Sequence, residues 1–342
     1  MKSLEVLYLD QSDLIKAGLL DFKMVLSEIE KGLIWHASNE SLSDKIVIEL
    51  DPIQDWKINS LIAINGDYSA NKWLGSNLIK TEDLPRTIAT ITLNDKNNGH
   101  PLCIMDGTLI SAIRTGAYAA LGLKYLAQEK NNIGIIGSGV MAKSSLLLMT
   151  SNLAERINDI FVYSRHPKNY KAFAKQMTEK TGMKVTPISD VSKLVRYSDV
   201  TVSAITKNDE ILVKNKDVKR GSTHIHIGGW DDEEQYLISC AKEGKIICDD
   251  WNLIKKRNAH PLPLAHNKGI ILDRDIYAEL GQIILGEKKG REANENIYFD
   301  TVGIGEMDLV LAIKIYEKAV QRGIGKRLKI WDSAHWILEG YK

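Results

Sequence analysis

Ile133-Gly134-Ile135-Ile136-Gly137-Ser138-Gly139-Val140-Met141-Ala142 is a short apolar run that breaks into Gly-x-Gly-x-x-Ala and continues into a predicted helix. A strand, a tight turn and a helix N-terminus in that order make a cradle for a pyrophosphate. Gly137 can take the turn conformation, Gly139 removes the side chain that would block the phosphates, and Ala142 lets the helix pack close to the strand. The helix end adds free N–H groups and a positive dipole end. Context agrees: Asn131 and Asn132 precede the strand, Ser144-Ser145-Leu146-Leu147-Leu148-Met149 continues as an apolar helix, and Ile160-Phe161-Val162-Tyr163 offers a second strand. The stretch reads as a nicotinamide dinucleotide site.

Working outward, the tip of that second strand is where an acidic side chain would accept hydrogen bonds from a free ribose 2′-hydroxyl. The chain instead reads Tyr163-Ser164-Arg165-His166. Ser164 offers a hydroxyl and Arg165 a guanidinium, which binds a phosphate through charge-assisted bonds. NADP is therefore favoured over NAD as the cofactor. The alternative for Arg165 is a solvated loop cation, and an NAD enzyme that tolerates Ser164 stays open.

After the glycine loop, strands and helices alternate: Ile160 to Tyr163, Lys184 to Pro187, Val200 to Ala204, Thr223 to Ile227 and Lys245 to Cys248 are strand candidates. This predicts an α/β fold, a doubly wound Rossmann dinucleotide-binding domain with a parallel sheet. Before the loop, Lys45 to Leu50, Ser60 to Ile64 and Thr87 to Leu93 alternate as short strands do, and Gln11 to His36 reads as helical. Asn94-Asp95-Lys96-Asn97-Asn98-Gly99 is a turn cluster joining Leu93 to a strand at Pro101 to Met105, a hairpin in an α+β domain. Leu109 to Leu126 is an alanine-rich helix leading into the dinucleotide domain. Asp308 to Arg322 is helical again, stops at Gly323 and is expected to return to the first domain. The expected boundaries are 1–115 with 306–342 for the discontinuous first domain and 116–305 for the dinucleotide domain.

Composition narrows the function classes. The chain of 342 residues, 44% hydrophobic, can bury a large core. Its 45 basic and 44 acidic side chains nearly cancel, so no broad field draws it to nucleic acid or an anionic membrane. Cys103, Cys240 and Cys248 lack C-x-x-C spacing, which disfavours a disulfide scaffold or a zinc site and fits a reducing cytoplasm. No secretion signal opens the sequence and no uncharged apolar run approaches membrane-spanning length, so a soluble cytoplasmic protein is expected.

Taken in order, Asn71-Lys72-Trp73-Leu74-Gly75-Ser76, Met105-Asp106-Gly107-Thr108, Ile113-Arg114-Thr115-Gly116-Ala117, the glycine loop, Ala278-Glu279-Leu280-Gly281, Gly290-Arg291 and Phe299-Asp300-Thr301-Val302-Gly303 resemble the ornithine cyclodeaminase and mu-crystallin family. Within that family, Lys72-Trp73, Leu93-Asn94-Asp95 and Asp249-Asp250-Trp251 look most like the branch that makes 2,3-diaminopropionate by oxidising N-(1-amino-1-carboxy-2-ethyl)glutamate. The resemblance implies hydride exchange at a carbon bearing nitrogen, in a small amino acid or its imine. It implies that Lys72 and Arg114 bind the substrate carboxylate, with Lys45 a further cation, Lys72 also catalytic and Arg114 near the cofactor. Other cofactor contacts are expected at Thr115, Gly137, Gly139, Val140, Met141, Ser164, Arg165, Ala204, Thr206 and Thr301. A first domain that also serves substrate binding and dimerisation, hence a homodimer, is implied too.

The reaction needs an acid/base group for the nitrogen. His226-Ile227-Gly228-Gly229-Trp230-Asp231-Asp232 ends a strand, where open α/β sheets place their chemistry. Asp231 is taken as catalytic, with Asp232 in reserve; a solvated acidic loop is the rival. Trp73 and Trp230 are expected to shape the walls. His224 and His226, two apart with no nearby third ligand, read as packing and hydrogen-bonding residues, so no metal is expected. Gly290-Arg291 and Asp300-Thr301 resemble positions near the nicotinamide, although Asp300 could equally cap a helix, and Asp308 could do either. The leading function is an NAD(P)-dependent oxidoreductase. The alternatives are an ornithine cyclodeaminase, a lyase without net redox change, and a non-enzymatic NADPH- and ligand-binding protein like mu-crystallin.

Overall fold

In a computed structural model of the chain, residues 3–51, 56–76, 84–206, 210–229, 231–257 and 259–333 are described. In chain order the elements are β1 (Leu4–Leu9), α1 (Gln11–Ala17), α2 (Phe22–Ala37), β2 (Leu42–Asp51), β3 (Trp56–Asn65), β4 (Tyr68–Ser76), β5 (Thr87–Asp95), β6 (Pro101–Asp106) and α3 (Gly107–Tyr125). They continue as β7 (Asn131–Ile136), α4 (Val140–Leu153), β8 (Ile157–Tyr163), α5 (Pro167–Thr181), β9 (Val185–Pro187), α6 (Val191–Tyr197), β10 (Val200–Ala204), β11 (Thr223–Gly228), α7 (Glu234–Glu243) and β12 (Lys245–Cys248). Last come α8 (Trp251–Lys255), α9 (Pro261–Asn267), β13 (Ile276–Glu279), α10 (Leu280–Ile284), β14 (Ile297–Asp300), α11 (Gly305–Arg322) and β15 (Lys326–Trp331). The chain divides into two compact units: Met1–Asp21, Glu40–Ser111 and Gly305–Lys342 in the first, Phe22–Asn39 and Ala112–Ile304 in the second.

The first unit is built on a mixed sheet of order β15-β1-β6-β5-β4-β3-β2. Strands β2 to β6 form an antiparallel meander, β1 runs parallel to β6, and β15 closes the edge antiparallel to β1. Helix α11 packs on one face of β2 to β5. Period-two alternation buries Leu61, Ala63, Ala70, Leu74, Ala89, Ile91 and Leu93 on that face. Strand β4 escaped the sequence reading because its polar residues mask the alternation: Ala70, Lys72 and Leu74 all point inward. The turn at Asn94 to Gly99 does join β5 to β6, with Gly99 at φ +75°.

The stretch read as helical over Gln11 to His36 forms two helices. Gly18 ends α1 in the left-handed region at φ 107°, its N–H satisfying the last carbonyls, and Asp10 opens α1 through a reciprocal cap with Asp13. Helix α2 then falls in the second unit, where the Leu33 carbonyl lies so close to Gly281 of α10 that a side chain there would collide with it.

The second unit is an eight-stranded sheet of order β13-β12-β14-β11-β10-β7-β8-β9, parallel throughout. Helices cover both faces, so burial does not alternate along its strands: β12 and β14 are buried at every position. Each fully buried Ile, Leu or Phe side chain there stabilises the fold by about 1.5–3 kcal/mol. Helix α3 crosses α4 at Gly116, where a Cβ would meet the Ser144 and Ser145 backbone. Sheet order reverses around β7, and that reversal opens the crevice in which such sheets bind ligands.

Candidate functional site

Within the second unit, the residues expected to hold a dinucleotide line up along the C-terminal edge of the parallel sheet. Gly137 leaves β7 at φ +120° and donates its N–H to Tyr163 O at 2.8 Å; a Cβ on it would fall onto the Ala204 carbonyl oxygen at the end of β10. Gly139 caps α4 in an ordinary extended conformation, φ −82°, and an added Cβ would meet no described atom within 4 Å. The fold therefore asks for glycine at 137 but not at 139. Open space before a helix N-terminus, bordered by a glycine the backbone does not need, fits a pyrophosphate. Exposed Val140 and half-buried Met141 form the first turn of α4. Ser164 and exposed Arg165 follow β8, the neighbour of β7, Thr206 follows β10, and Thr301 follows β14 with its hydroxyl donated to His226 O at 3.1 Å.

Arg114 and Thr115 lie on the part of α3 that belongs to the second unit. The Arg114 guanidinium packs against Gly303, whose φ of +78° leaves no side chain in the way. That loop is fastened by buried Asp249, which accepts the N–H groups of Val302 (3.0 Å) and Gly303 (2.7 Å) and the Tyr118 hydroxyl (2.6 Å). Arg114 is thus aimed by a rigid turn at the same sheet edge.

Beyond β11 the chain carries a buried cluster of acids and histidines. Asp231 and Asp232 are not a solvated loop: both side chains are inaccessible. Ser203 donates to Asp231 Oδ2 at 2.9 Å, and the Asp231 carbonyl accepts from Leu212 and Val213 N–H. Asp232 accepts the Tyr298 hydroxyl at 2.6 Å and lies 3.2 Å from His224 Nε2. His226 Nδ1 meets Asp300 Oδ1 at 2.8 Å, and its Nε2 stands 3.9 Å from both Asp231 Oδ1 and Asp232 Oδ2. Burial, with Asp232 beside it, pushes the Asp231 carboxyl up to about 6. For Asp232 burial acts the same way, but His224, His226 and Tyr298 outweigh it and hold the group below the ordinary carboxylate range. Burial would lower His226; the surrounding carboxylates, Asp300 foremost, win and raise it to about 9. Trp230 lies outside the described residues.

In the first unit, Lys72 on β4 is fully buried, 2.5 Å from Asp308 on α11 and 3.4 Å from Ser111 Oγ. Lys45 on β2 stands opposite Leu61, and Leu61 opposite Lys72, so the two lysines share a face two strands apart, about 9–10 Å. Lys45 is half-buried.

Four assignments change. Trp73 does not wall the Lys72 site: adjacent to Lys72 on β4, it points to the opposite, exposed face of the sheet. Gly290-Arg291 is not near the sheet edge that carries the glycine turn: Arg291 clamps Leu126 O, Glu295 O and Thr223 Oγ1 at the opposite, N-terminal edge of β11. Asp300 partners His226 rather than capping a helix, and Asp308 belongs to Lys72. Sequence reading missed both pairs because their members lie 74 and 236 residues apart. The signal available was the alternation that buries Lys72 and His226 and so demands an acid for each.

Residues 51–323 match the family model described as ornithine cyclodeaminase/mu-crystallin. A Delta(1)-pyrroline-2-carboxylate reductase of Bacillus cereus is 32% identical over 245 residues, 70% of this chain and 73% of that protein. An N-((2S)-2-amino-2-carboxyethyl)-L-glutamate dehydrogenase of Staphylococcus aureus is 26% identical over 96% of this chain and 99% of its own. Among solved structures, the Delta(1)-pyrroline-2-carboxylate reductase of Thermococcus litoralis, in complex with NADH and L-proline, superposes with a TM-score of 0.84 at 29% identity, covering 94% of this chain and 99% of that one. No described helix is long and apolar enough to cross a membrane.

Proposed function

The chain belongs to the ornithine cyclodeaminase/mu-crystallin family, and on that footing we propose that it is an NAD(P)-dependent oxidoreductase acting on the C–N bond of a small amino acid or imine. The observation that carries this reading is the Gly137 to Gly139 turn, with its unblocked helix end, on the same sheet edge as Asp231. A bound nicotinamide ring supplies the acceptor or donor of hydride. The protein supplies the rest. In the oxidative direction the substrate C–H leaves as hydride, the N–H proton passes to the Asp231 carboxylate, and an imine results. Arg114, in the same unit as Asp231, is assigned to the substrate carboxylate; for Lys72 and Lys45 the same role rests on the family resemblance alone. A fork-shaped guanidinium fixes orientation, and a lysine contributes a point charge.

Arg165, exposed beyond β8, is assigned to the 2′-phosphate of NADP. The reading extends to N-(2-amino-2-carboxyethyl)glutamate as substrate, supported by the full-length match to the Staphylococcus aureus dehydrogenase. A homodimer is part of the proposal. The sheet face opposite α11 exposes Ile46, Ile48, Ile62, Trp73 and Ile88, which by register lie on one side of β2 to β5. The three thiols are free and buried, in keeping with a reducing cytoplasm.

The test is to follow nicotinamide absorbance with N-(2-amino-2-carboxyethyl)glutamate and NADP+ or NAD+, and with Delta(1)-pyrroline-2-carboxylate and NADPH or NADH. Net oxidation or reduction is expected, and Asp231→Asn should abolish it while dinucleotide binding persists. Ammonia release from ornithine without absorbance change would refute the reading.

A further inference from the structure

The chemistry above uses Asp231 but gives no task to the groups around it. Resting on the reading of Asp231 as the proton-carrying group, we propose that His226 is a positioning residue: fixed by Asp300, its imidazolium faces the Asp231–Asp232 pair and keeps Asp231 ionised and ready to take the amine proton.

The geometry is specific. The imidazole is completely buried on β11, with Nδ1 donated to Asp300 Oδ1 at 2.8 Å. Nε2 points between the two following acids, 3.9 Å from each. The groups facing it are Asp300 and Tyr298 from β14, His224 from its own strand, Asp231 and Asp232 from the loop after it, and His260 before α9, whose ring centroid is 5.1 Å away. Carboxylates on three sides of a buried imidazole favour its charged form. The direction of the shift on His226 agrees.

The two acids are not equivalent. Asp232 takes the Tyr298 hydroxyl on Oδ2 at 2.6 Å and has His224 Nε2 3.2 Å from Oδ1, a close ion-pair approach without a hydrogen bond, and these neighbours favour its anion. Asp231 has the Ser203 hydroxyl on Oδ2, while Oδ1, the oxygen nearest His226, makes no hydrogen bond among the described residues. Asp231, whose closest described imidazole nitrogen stands at 3.9 Å where Asp232 has one at 3.2 Å and the Tyr298 hydroxyl besides, is the member that exchanges a proton. Its affinity for that proton is set by opposing neighbours: burial and Asp232 raise it, and His226 lowers it. Asp300 acts through His226, fixing the tautomer and the charge.

The experiment is a pH profile of kcat/KM in the oxidative direction for the wild type, His226→Gln and Asp300→Asn, with dinucleotide affinity measured alongside. A base must be ionised, so wild-type activity should fall as pH drops through about 6. His226→Gln removes the charge that lowers Asp231, so the acid limb should move alkaline by about one unit, and kcat/KM should fall roughly threefold at about pH 6.5 and approach tenfold near pH 5. Activity should recover toward pH 9, with dinucleotide affinity unchanged. Asp300→Asn should move the limb the same way by less. In the wild type, ¹⁵N resonances of the His226 ring should report an imidazolium well above neutrality, a readout that holds if the Gln variant does not fold.

An unmoved limb, or a ring that is neutral at pH 7.5, would overturn the assignment while leaving Asp231 as the base. Full activity in Asp231→Asn would instead remove the reading on which it rests. His226, Asp231 and Asp232 also present ligand atoms within 4.8 Å of one another. Loss of activity on chelation, restored by a divalent ion, would replace the proton with a metal and overturn the proposal.

Discussion

Gly137 and Gly139 are two residues apart, and alanine at each should fail in opposite ways. At Gly137 the backbone sits at φ +120°, where L residues are strained by about 1–3 kcal/mol. The new methyl would also be driven into the Ala204 carbonyl, a backbone atom that cannot swing aside, for roughly another 1–3 kcal/mol. Gly137→Ala should therefore lose about 2–6 kcal/mol of stability, several degrees or more in melting temperature. At Gly139 the backbone is at φ −82° with open space ahead, so the folded state gains no strain and the unfolded chain loses freedom. Gly139→Ala should leave stability unchanged or raise it by about 0.4–1 kcal/mol. Its methyl nevertheless occupies the approach to the α4 N–H groups, and NADPH affinity should fall at least about tenfold, or 1.4 kcal/mol. The assays are thermal unfolding without ligand and NADPH fluorescence titration. Wild-type affinity in Gly139→Ala would refute the placement of the phosphates. A melting temperature lowered as much as that of Gly137→Ala would refute the reading of the turn.

Arg165→Ala should weaken NADP binding far more than NAD binding, as seen in paired titrations, because a charge-assisted phosphate contact is lost and nothing comparable serves a free hydroxyl; equal losses would return Arg165 to a solvated cation. Lys72→Met should cost about 3–5 kcal/mol in denaturant melts, since it takes the ammonium from buried Asp308, and Lys72→Met with Asp308→Leu should regain most of the stability without regaining activity.

The parts of this protein that could be read from its sequence are those in which cause and effect are local. A turn that needs glycine for φ and an unblocked helix end is written within ten residues, and the alternation of apolar segments around it specifies a parallel sheet. The acids after β11 could also be found, because strand ends in such sheets carry chemistry. Their environment could not. A loop written Asp231-Asp232-Glu233-Glu234 looks solvated, and it is buried at Asp231 and Asp232 only because Ser203, His224, Tyr298 and His226 arrive from three strands to receive the charges. Likewise the resemblance marks Lys72 as a site residue, yet nothing near it in sequence announces its acid, which comes from a helix 236 residues later. Arg291 shows the converse error: a motif position near the cofactor by analogy is here a clamp on carbonyls at the far edge of the sheet.

The discontinuity of the first unit has a consequence for how the chain is made. Helix α11, which covers one face of β2 to β5, and β15, which closes the edge at β1, both come after residue 304. As the polypeptide leaves the ribosome, the second unit's sheet has all its strands once Asp300 has emerged, while the meander of the first unit still shows bare apolar flanks to the cell. The portion translated first is thus completed last. Nascent chains stalled just short of α11 should be the ones most in need of chaperones.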